Sequence, residues 1–591
     1  MKPRAAEGAW QAELRRIATE TGRPLDDIAE EAKRAGEELS SRRGAVGTWM
    51  FATLSRFVRR RAYPLPPIHD LGELERVRTA VASGGAVFLV THKTYLDFFV
   101  LFEFFHDKGM PPPRIFGGAN MAFAGFGSLA RRAGGVFIRR SFRDDPVYKA
   151  VLRRRLEDLM AQGESLMWAI EGTRSRTGKL LMPRLGLLHY VTDAVRRLDV
   201  RTVSFIPVAV VYDRIPDVAD MAAQETGAAK QRESISWFVS YLRNLRGAFG
   251  NVHVRFGEPI ALGDTPDAPD LHAPSPASPA EALEVQKLAF EACFRINEIT
   301  PATPTSLVLL SLLCRGSCAL PRVEADVRAL DAYITERHPD ANERRPSREV
   351  GDSPAGSVEA LCSAGVIEAP DGPPKGELRI CPQSLSVAIY YSNMAAHHFV
   401  ISAFAEIALT MLAQAGDAVT LARFETECMA LRDLFKFEFF FSRKSVFRQQ
   451  LGEELTRLGL GETAQPLNPG IVLDSLRSKS IRVAAGVLAP YLNAYRAVAE
   501  QLGALPADAA PRDADIVTAC LEAAIHDPET RPGVSRALLA NGLRVADSRA
   551  LRPGPGRSGT AEKRQDFFAE LDRIEAALQL LTEMNGATGE R

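Results

Sequence analysis

VFLVTHKTYLDFFVL, residues 87–101, decides how the chain is read. It is nearly all apolar or aromatic, yet it holds His92, Lys93 and Asp97. In one continuous helix a spacing of five turns through roughly 500°, leaving the His92 and Asp97 side chains about 140° apart. In one continuous strand they face opposite sides of the sheet. They meet only where the chain turns between them. AVFLVT (86–91) reads as a strand and TYLDFFVLFEFF as the start of a helix. Thr94 is placed to cap that helix, and Asp97 falls in its first turn, where a carboxylate is favoured. His92 then stands at the strand's C-terminal edge, where α/β folds place ligands. Asp97 accepts from one imidazole nitrogen and the other is left to take a proton, which suits a base acting on a substrate hydroxyl. By themselves the two residues also read as a satisfied histidine and a helix-start aspartate.

Outward from this stretch, short β-rich runs alternate with helical patterns between about 70 and 260. The strand candidates are 86–91, 114–117, 135–140, 165–172, 203–212 and 252–260, with helical sequence between them, as at 147–163. The alternation predicts an α/β fold: a mixed, largely parallel sheet flanked by helices. An N-terminal helical segment and a large C-terminal helical region complete it. The expected division is an N-terminal segment 1–65, an α/β domain 66–262, a Pro/Ala-rich linker 263–282, a helical region 283–450 and a helical extension 451–591. Further loose stretches are expected near 338–376 and 552–562.

Bulk composition excludes some classes. The 73 basic and 73 acidic residues cancel, which argues against a general nucleic-acid binder. Seven cysteines contain no CxxC pair, and Cys314 and Cys318 have no second pair to complete a zinc site, so no metal is expected. Sparse, odd cysteines suit a reducing compartment. The N-terminus lacks the apolar core of a signal peptide. The longest apolar candidate, 386–413, contains Asn393, His397, His398 and Glu406, so no spanning helix is expected.

Three further elements carry chemistry. In GGVFIRRSF (134–142) a strand ends on Arg139 and Arg140, which suits a phosphate or a solvated strand end. In WAIEGTRSRTGK (168–179) a strand ends on Glu171 and Gly172. The loop after it holds Arg174, Arg176 and Lys179 among hydroxyls, including Ser175: a dense anion site or a solvated basic loop. It is a near miss for a P-loop: five residues, not four, separate Gly172 from Gly178, and Leu180 follows Lys179 where Ser or Thr is required. In VSFIPVAVVYDRIP (203–216) Pro207 interrupts a buried strand, which usually marks an edge or bulge.

The order of these elements resembles the four blocks of the glycerol-3-phosphate 1-O-acyltransferase and dihydroxyacetone-phosphate acyltransferase family, whose first block is HxxxxD. The blocks here are HKTYLD, GGVFIRRSF, EGTRSRTGK and FIPVAVVYDRIP; FGEPI, INEITPATPTSLV, YYSNMAAH and LFKFEFFF also look like segments of that family. The likeness spans roughly 65–445. It implies that His92 is the general base and Asp97 its orienting partner. The sn-1 hydroxyl of glycerol 3-phosphate would attack an acyl thioester directly, giving 1-acylglycerol 3-phosphate for phospholipid biosynthesis. The resemblance assigns Arg139, Glu171, Gly172, Arg174 and Ser175 to glycerol-phosphate binding and catalysis, and Pro207 to the acyl donor or local shape. Arg140, Arg176 and Lys179 join the substrate-binding set on charge alone. No cofactor is expected, only acyl-CoA or acyl-ACP as co-substrate.

An amphiphilic product suggests a peripheral place on the cytoplasmic face of the cell membrane. RFVRRRAY (56–63) and FKFEFFFSRKSVFR (435–448) mix aromatics with cations, and each reads either as an interfacial segment or as packed core. The open alternatives are a dihydroxyacetone-phosphate or lysophosphatidate acyltransferase, a non-catalytic phosphate- or lipid-binding regulator, and a nucleotide enzyme of P-loop type.

Overall fold

The first strand, β1 (Ala86–Val90), is buried at all five positions, as an unbroken apolar run between two neighbouring strands requires. In the computed structural model of the chain, the residues described are 3–122, 125–198, 203–227, 235–245, 249–262, 279–337, 353–369, 376–416, 418–461, 466–506, 509, 511–526, 532–552 and 560–587. Four helices precede β1: α1 (Pro3–Thr21), α2 (Leu25–Glu38), α3 (Ala45–Ala62) and α4 (Leu71–Gly84). After it come α5 (Asp97–Asp107), β2 (Arg114–Gly118), α6 (Phe126–Ala133), β3 (Val136–Ile138), α7 (Pro146–Ala161) and β4 (Leu166–Ala169). Then follow α8 (Leu185–Leu198), β5 (Ser204–Tyr212), α9 (Val218–Glu225), α10 (Ile235–Asn244), β6 (Val252–Phe256) and β7 (Ile260–Ala261).

The strand order is β3-β2-β4-β1-β5-β6, with β7 also on β5. The first five are parallel, and β6 and β7 run antiparallel to β5. The mixed, largely parallel sheet is therefore as expected, and the C-terminal ends of β1, β3 and β4 lie on one edge.

Two strand readings change. VHVRFGEPI is split into β6 and β7 around Gly257–Pro259, and β5 is an interior strand rather than an edge. Pro207 is tolerated there because its carbonyl, which accepts from Gly257 N at 2.9 Å, points to the side where β6 gives way to β7. The missing N–H falls in that gap in the ladder.

Arg59 fixes α3 to α5. Its Nε and Nη2 donate to Glu103 at 2.8 and 2.9 Å, and its Nη1 donates to the carbonyls of Tyr63 and Leu65. The Phe51 ring on α3 packs against Phe99, Phe102 and Phe126. Two members of the RFVRRRAY segment are thereby accounted for: Arg59 and Tyr63 are buried.

Beyond the sheet the chain is mainly helical, with three departures from expectation. A small antiparallel sheet joins Ser317–Ala319, Glu377–Ile380 and Ile367–Glu368. The stretch read as loose near 338–376 contains the helix Pro354–Ser363, and residues 279–282, read as linker, already belong to the helix Pro279–Ile299. Residues 263–278 and 553–559 lie outside the described residues. Helices on the two sides of residue 450 share one core: Glu406 accepts from Val483 N and Ala484 N, and Tyr495 Oη donates to Glu438 at 3.1 Å.

This helical region seats directly on the loop after β4. Asn393 Nδ2 donates to Thr177 O at 2.8 Å, and Gly178 approaches the backbone of Tyr390 so closely that a methyl group would collide with its carbonyl. Gly178 also has φ +85°. Gly178→Ala should therefore destabilise the protein by about 3 kcal/mol. Urea unfolding reads this directly, and an unchanged midpoint would contradict the packing described.

Candidate active site

The Asp97 side chain is fully buried and gathers four donors. Its Oδ2 accepts from Lys93 N at 2.7 Å and Thr94 N at 3.1 Å and lies 2.8 Å from His92 Nδ1; its Oδ1 accepts from Tyr212 Oη at 2.7 Å. The turn predicted between His92 and Asp97 is thus held by the carboxylate that orients the imidazole. Facing a carboxylate, Nδ1 carries the ring proton and Nε2 keeps its lone pair. The cap expected of Thr94 is not made. The helix begins at Asp97 with no side-chain cap; Thr94 Oγ1 donates to Asp217 at 2.6 Å and, among backbone amides, accepts only from Leu96 N, at 3.4 Å.

The loop after β4 holds the backbone of the same histidine. His92 N donates to Glu171 Oε1 at 2.8 Å, and Ser175 N donates to His92 O at 2.7 Å. The second oxygen of Glu171 accepts from Leu181 N at 3.0 Å. Burial pushes the Glu171 carboxyl up to about 7, while the Lys93 ammonium and the two amide bonds pull the other way. Gly172 supplies the turn with φ +67°, where a Cβ would crowd Arg184. Ser175 is buried with its hydroxyl donating to Lys179 O, so its bonds position His92 and close the loop.

Arg174 reaches the same centre. Its Nη1 donates to Asp217 Oδ2 at 2.5 Å, its Nη2 donates to Tyr95 Oη at 2.8 Å, and its Cζ lies 3.7 Å from the centroid of the Tyr95 ring. Asp217 therefore bridges the first and third blocks, with Thr94 on one oxygen and Arg174 on the other.

The remaining predicted residues separate from this network. Lys179, expected in the anion-binding loop, is buried in an ion pair with Glu438 and lies over the Tyr491 ring. The helical region folds over the end of the loop and takes that cation inward, so Lys179 anchors the two regions instead of facing an anion. Arg176 turns to α9, donating to Gln224 at 3.0 Å with Glu225 nearby. Arg139 and Arg140 lie just past β3, on the same edge as His92 but three strand spacings away, roughly 14 Å. Glu38 and Asp145 hold the Arg139 guanidinium, and Arg140 Nε donates to Asn120. Pro207 is paired with Leu89 inside the sheet, away from the strand ends.

Three site residues were missed by the reading of the sequence. Tyr212 is the last residue of β5 and carried a signal, a hydroxyl ending an apolar strand beside the block. Tyr95 lies within HKTYLD. Asp217 lies 123 residues from Thr94, and no local pattern pairs them.

Residues 70–211 match the acyltransferase family, and residues 221–526 match the glycerol-3-phosphate acyltransferase C-terminal region. The second match continues past residue 445, where the likeness seen in the sequence stopped. The chain is similar to a putative acyltransferase plsB1 of Mycobacterium tuberculosis and of Mycobacterium bovis, at 31% identity over 98% of this chain and 93% of theirs. It is similar also to a glycerol-3-phosphate acyltransferase of a Shewanella species, at 32% identity over 55% of this chain and 41% of that one. With both the sheet-bearing region and the helical region matched, the chain belongs to the glycerol-3-phosphate acyltransferase family.

Proposed function

We propose that this enzyme moves an acyl group from a thioester, acyl-CoA or acyl-ACP, to the sn-1 hydroxyl of glycerol 3-phosphate, with His92 as the base. The observation that carries this is the His92 Nδ1 to Asp97 contact at 2.8 Å, which leaves Nε2 as a proton acceptor at the sheet edge. As Nε2 takes the hydroxyl proton, the oxygen attacks the thioester carbonyl and the C–S bond breaks. The imidazolium then returns the proton to the leaving thiolate. Arg174 is the phosphate partner: Asp217 and Tyr95 fix its plane, and among the described residues no other acceptor takes the remaining N–H groups of its fork, which suit a bidentate contact. Arg139 is held by Glu38 and Asp145, so a phosphate contact there requires exchange of those carboxylates.

His92→Ala should lower turnover at least about 10²-fold while the far-UV circular dichroism of the folded protein stays unchanged. Retained turnover would remove the base. Asp97→Asn places an amide NH₂ among four donors, so it should also cost roughly 2 kcal/mol of stability. An equal melting temperature would show that the network is not as drawn. Arg174→Ala and Asp217→Ala should each raise the glycerol 3-phosphate KM about tenfold, leaving the acyl-donor KM alone. The reverse pattern would reassign the loop to the donor.

The membrane contact belongs to α3. Val46, Trp49, Met50 and Phe57 are 72%, 61%, 46% and 53% exposed and repeat at helical spacing along one face. The helix contains no acidic residue, Arg60 is exposed, and Arg61 lies over the Phe57 ring. An apolar stripe with basic neighbours suits an anionic bilayer surface. The second candidate, 435–448, is instead largely packed core, with Phe435, Phe439, Phe440 and Phe447 buried. Among the described residues no helix is long and apolar enough to cross a membrane. The protein should float with anionic vesicles, and Trp49→Ser with Phe57→Ser should abolish flotation. Equal flotation of the double variant would exclude this face.

A further inference from the structure

Lys93 is the one charged side chain of the His92–Asp97 turn that the proposed reaction leaves unused. It is 4% exposed, and its ammonium donates to Gly178 O in the loop after β4. Its own backbone N–H is held by Asp97 Oδ2 at 2.7 Å. The side chain therefore ties the turn that carries His92 to the point where that loop meets the backbone of Tyr390. An ammonium has three donors, and among the described residues no carboxylate lies within ion-pair distance of this one. A buried charge so placed costs stability, and a neutral donor on the same carbonyl would cost less. Anchoring the loop does not account for the charge.

Glu171 accounts for it. One of its oxygens takes His92 N at 2.8 Å and the other takes Leu181 N at 3.0 Å, so the two amides together need the ionised carboxylate. A protonated carboxyl has a single carbonyl oxygen, and one of the amides would face its hydroxyl. Burial favours that protonated form, raising the carboxyl to about 7, and the Lys93 ammonium opposes it. The other titratable side chains facing Glu171 give no such help. Asp97 is a second carboxylate. Burial keeps neutral the Cys293 thiol, from the helix Pro279–Ile299, and the Tyr390 phenol, from the helix Leu385–Asn393. Lys93 is the only cation of this set.

We propose that Lys93 is a positioning residue that acts on His92 through Glu171: its ammonium, seated on Gly178 O, keeps the carboxylate ionised and the backbone N–H of His92 held. The inference rests on the reading of His92 as the base.

Lys93→Gln separates the charge from the anchor, because its amide can still donate to Gly178 O. Infrared difference spectra against pH follow the protonated carboxyl of Glu171, identified by its loss in Glu171→Gln. In Lys93→Gln the midpoint of that band should rise by about one pH unit or more, since an attractive charge is gone. The acid limb of kcat/KM for transfer from oleoyl-CoA to glycerol 3-phosphate should move to higher pH with it. The variant then loses most activity on the acid side and recovers toward the unaltered enzyme as the pH rises. A loss by the same factor at every pH, with the infrared midpoint unmoved, makes Lys93 an anchor only and overturns the proposal. A midpoint that rises while the acid limb stays in place also overturns it, because Glu171 would then not control the base. Should Lys93→Gln fail to fold, Lys93→Met places an apolar chain of similar length in the same space and gives the same two readouts. The infrared midpoint needs no substrate, so it decides the role of Lys93 by itself. Failure of the unaltered enzyme to use glycerol 3-phosphate would count against the proposed reaction alone.

Discussion

A single buried carboxylate organises the candidate active site. Asp97 takes two backbone N–H groups, one phenol and one imidazole, so it shapes the chain around itself as well as the histidine. A charge with no solvent exposure is tolerated only when its lone pairs are met, and here four donors meet them. Because the same oxygen serves Lys93 N, Thr94 N and His92 Nδ1, the turn cannot relax without moving the imidazole. The imidazole is thus preorganised by the fold rather than by the substrate.

The second constraint is that the histidine's own peptide groups are tied to the loop after β4. Glu171 receives His92 N, and Ser175 donates to His92 O. That loop is held in turn by the helical region, through Asn393 on Thr177, the close approach of Tyr390 to Gly178, and Glu438 on Lys179. The helical region therefore buttresses the loop that holds His92. This explains in physical terms why a sheet domain with a complete His–Asp pair carries some 300 further residues matched to a second family segment. Asp217, which lies between the two matched segments, links Thr94 to Arg174 within the first of them.

These ties also bear on the lipid contact proposed for α3. α3 presents an apolar, acid-free face outward while Phe51, on its inner side, packs against Phe99 and Phe102 of the helix that starts at Asp97. The surface proposed to meet the bilayer and the helix that carries the orienting carboxylate are neighbours. An amphiphilic product formed there has a short way to travel.

The sequence by itself determined what depends on local geometry and residue type. The strand-turn-helix at 86–101 and the parallel sheet follow from periodicity, and that turn is the condition under which His92 and Asp97 can meet, since no regular element brings those side chains together. Glu171 and Gly172 were legible as the end of a strand entering a turn. What only the tertiary structure decided is where each cation goes. Arg174, Arg176 and Lys179 are equivalent in composition and lie within six residues. Yet Arg174 faces Asp217 in the centre, Arg176 turns to α9, and Lys179 is drawn into the helical region by Glu438, 259 residues away. Likewise Thr94 looked like a helix cap, but its hydroxyl is turned to Asp217, 123 residues away, and α5 starts at Asp97 without a side-chain cap. Partners so distant in the chain leave no periodic trace, because long-range pairing depends on which surfaces the fold brings together.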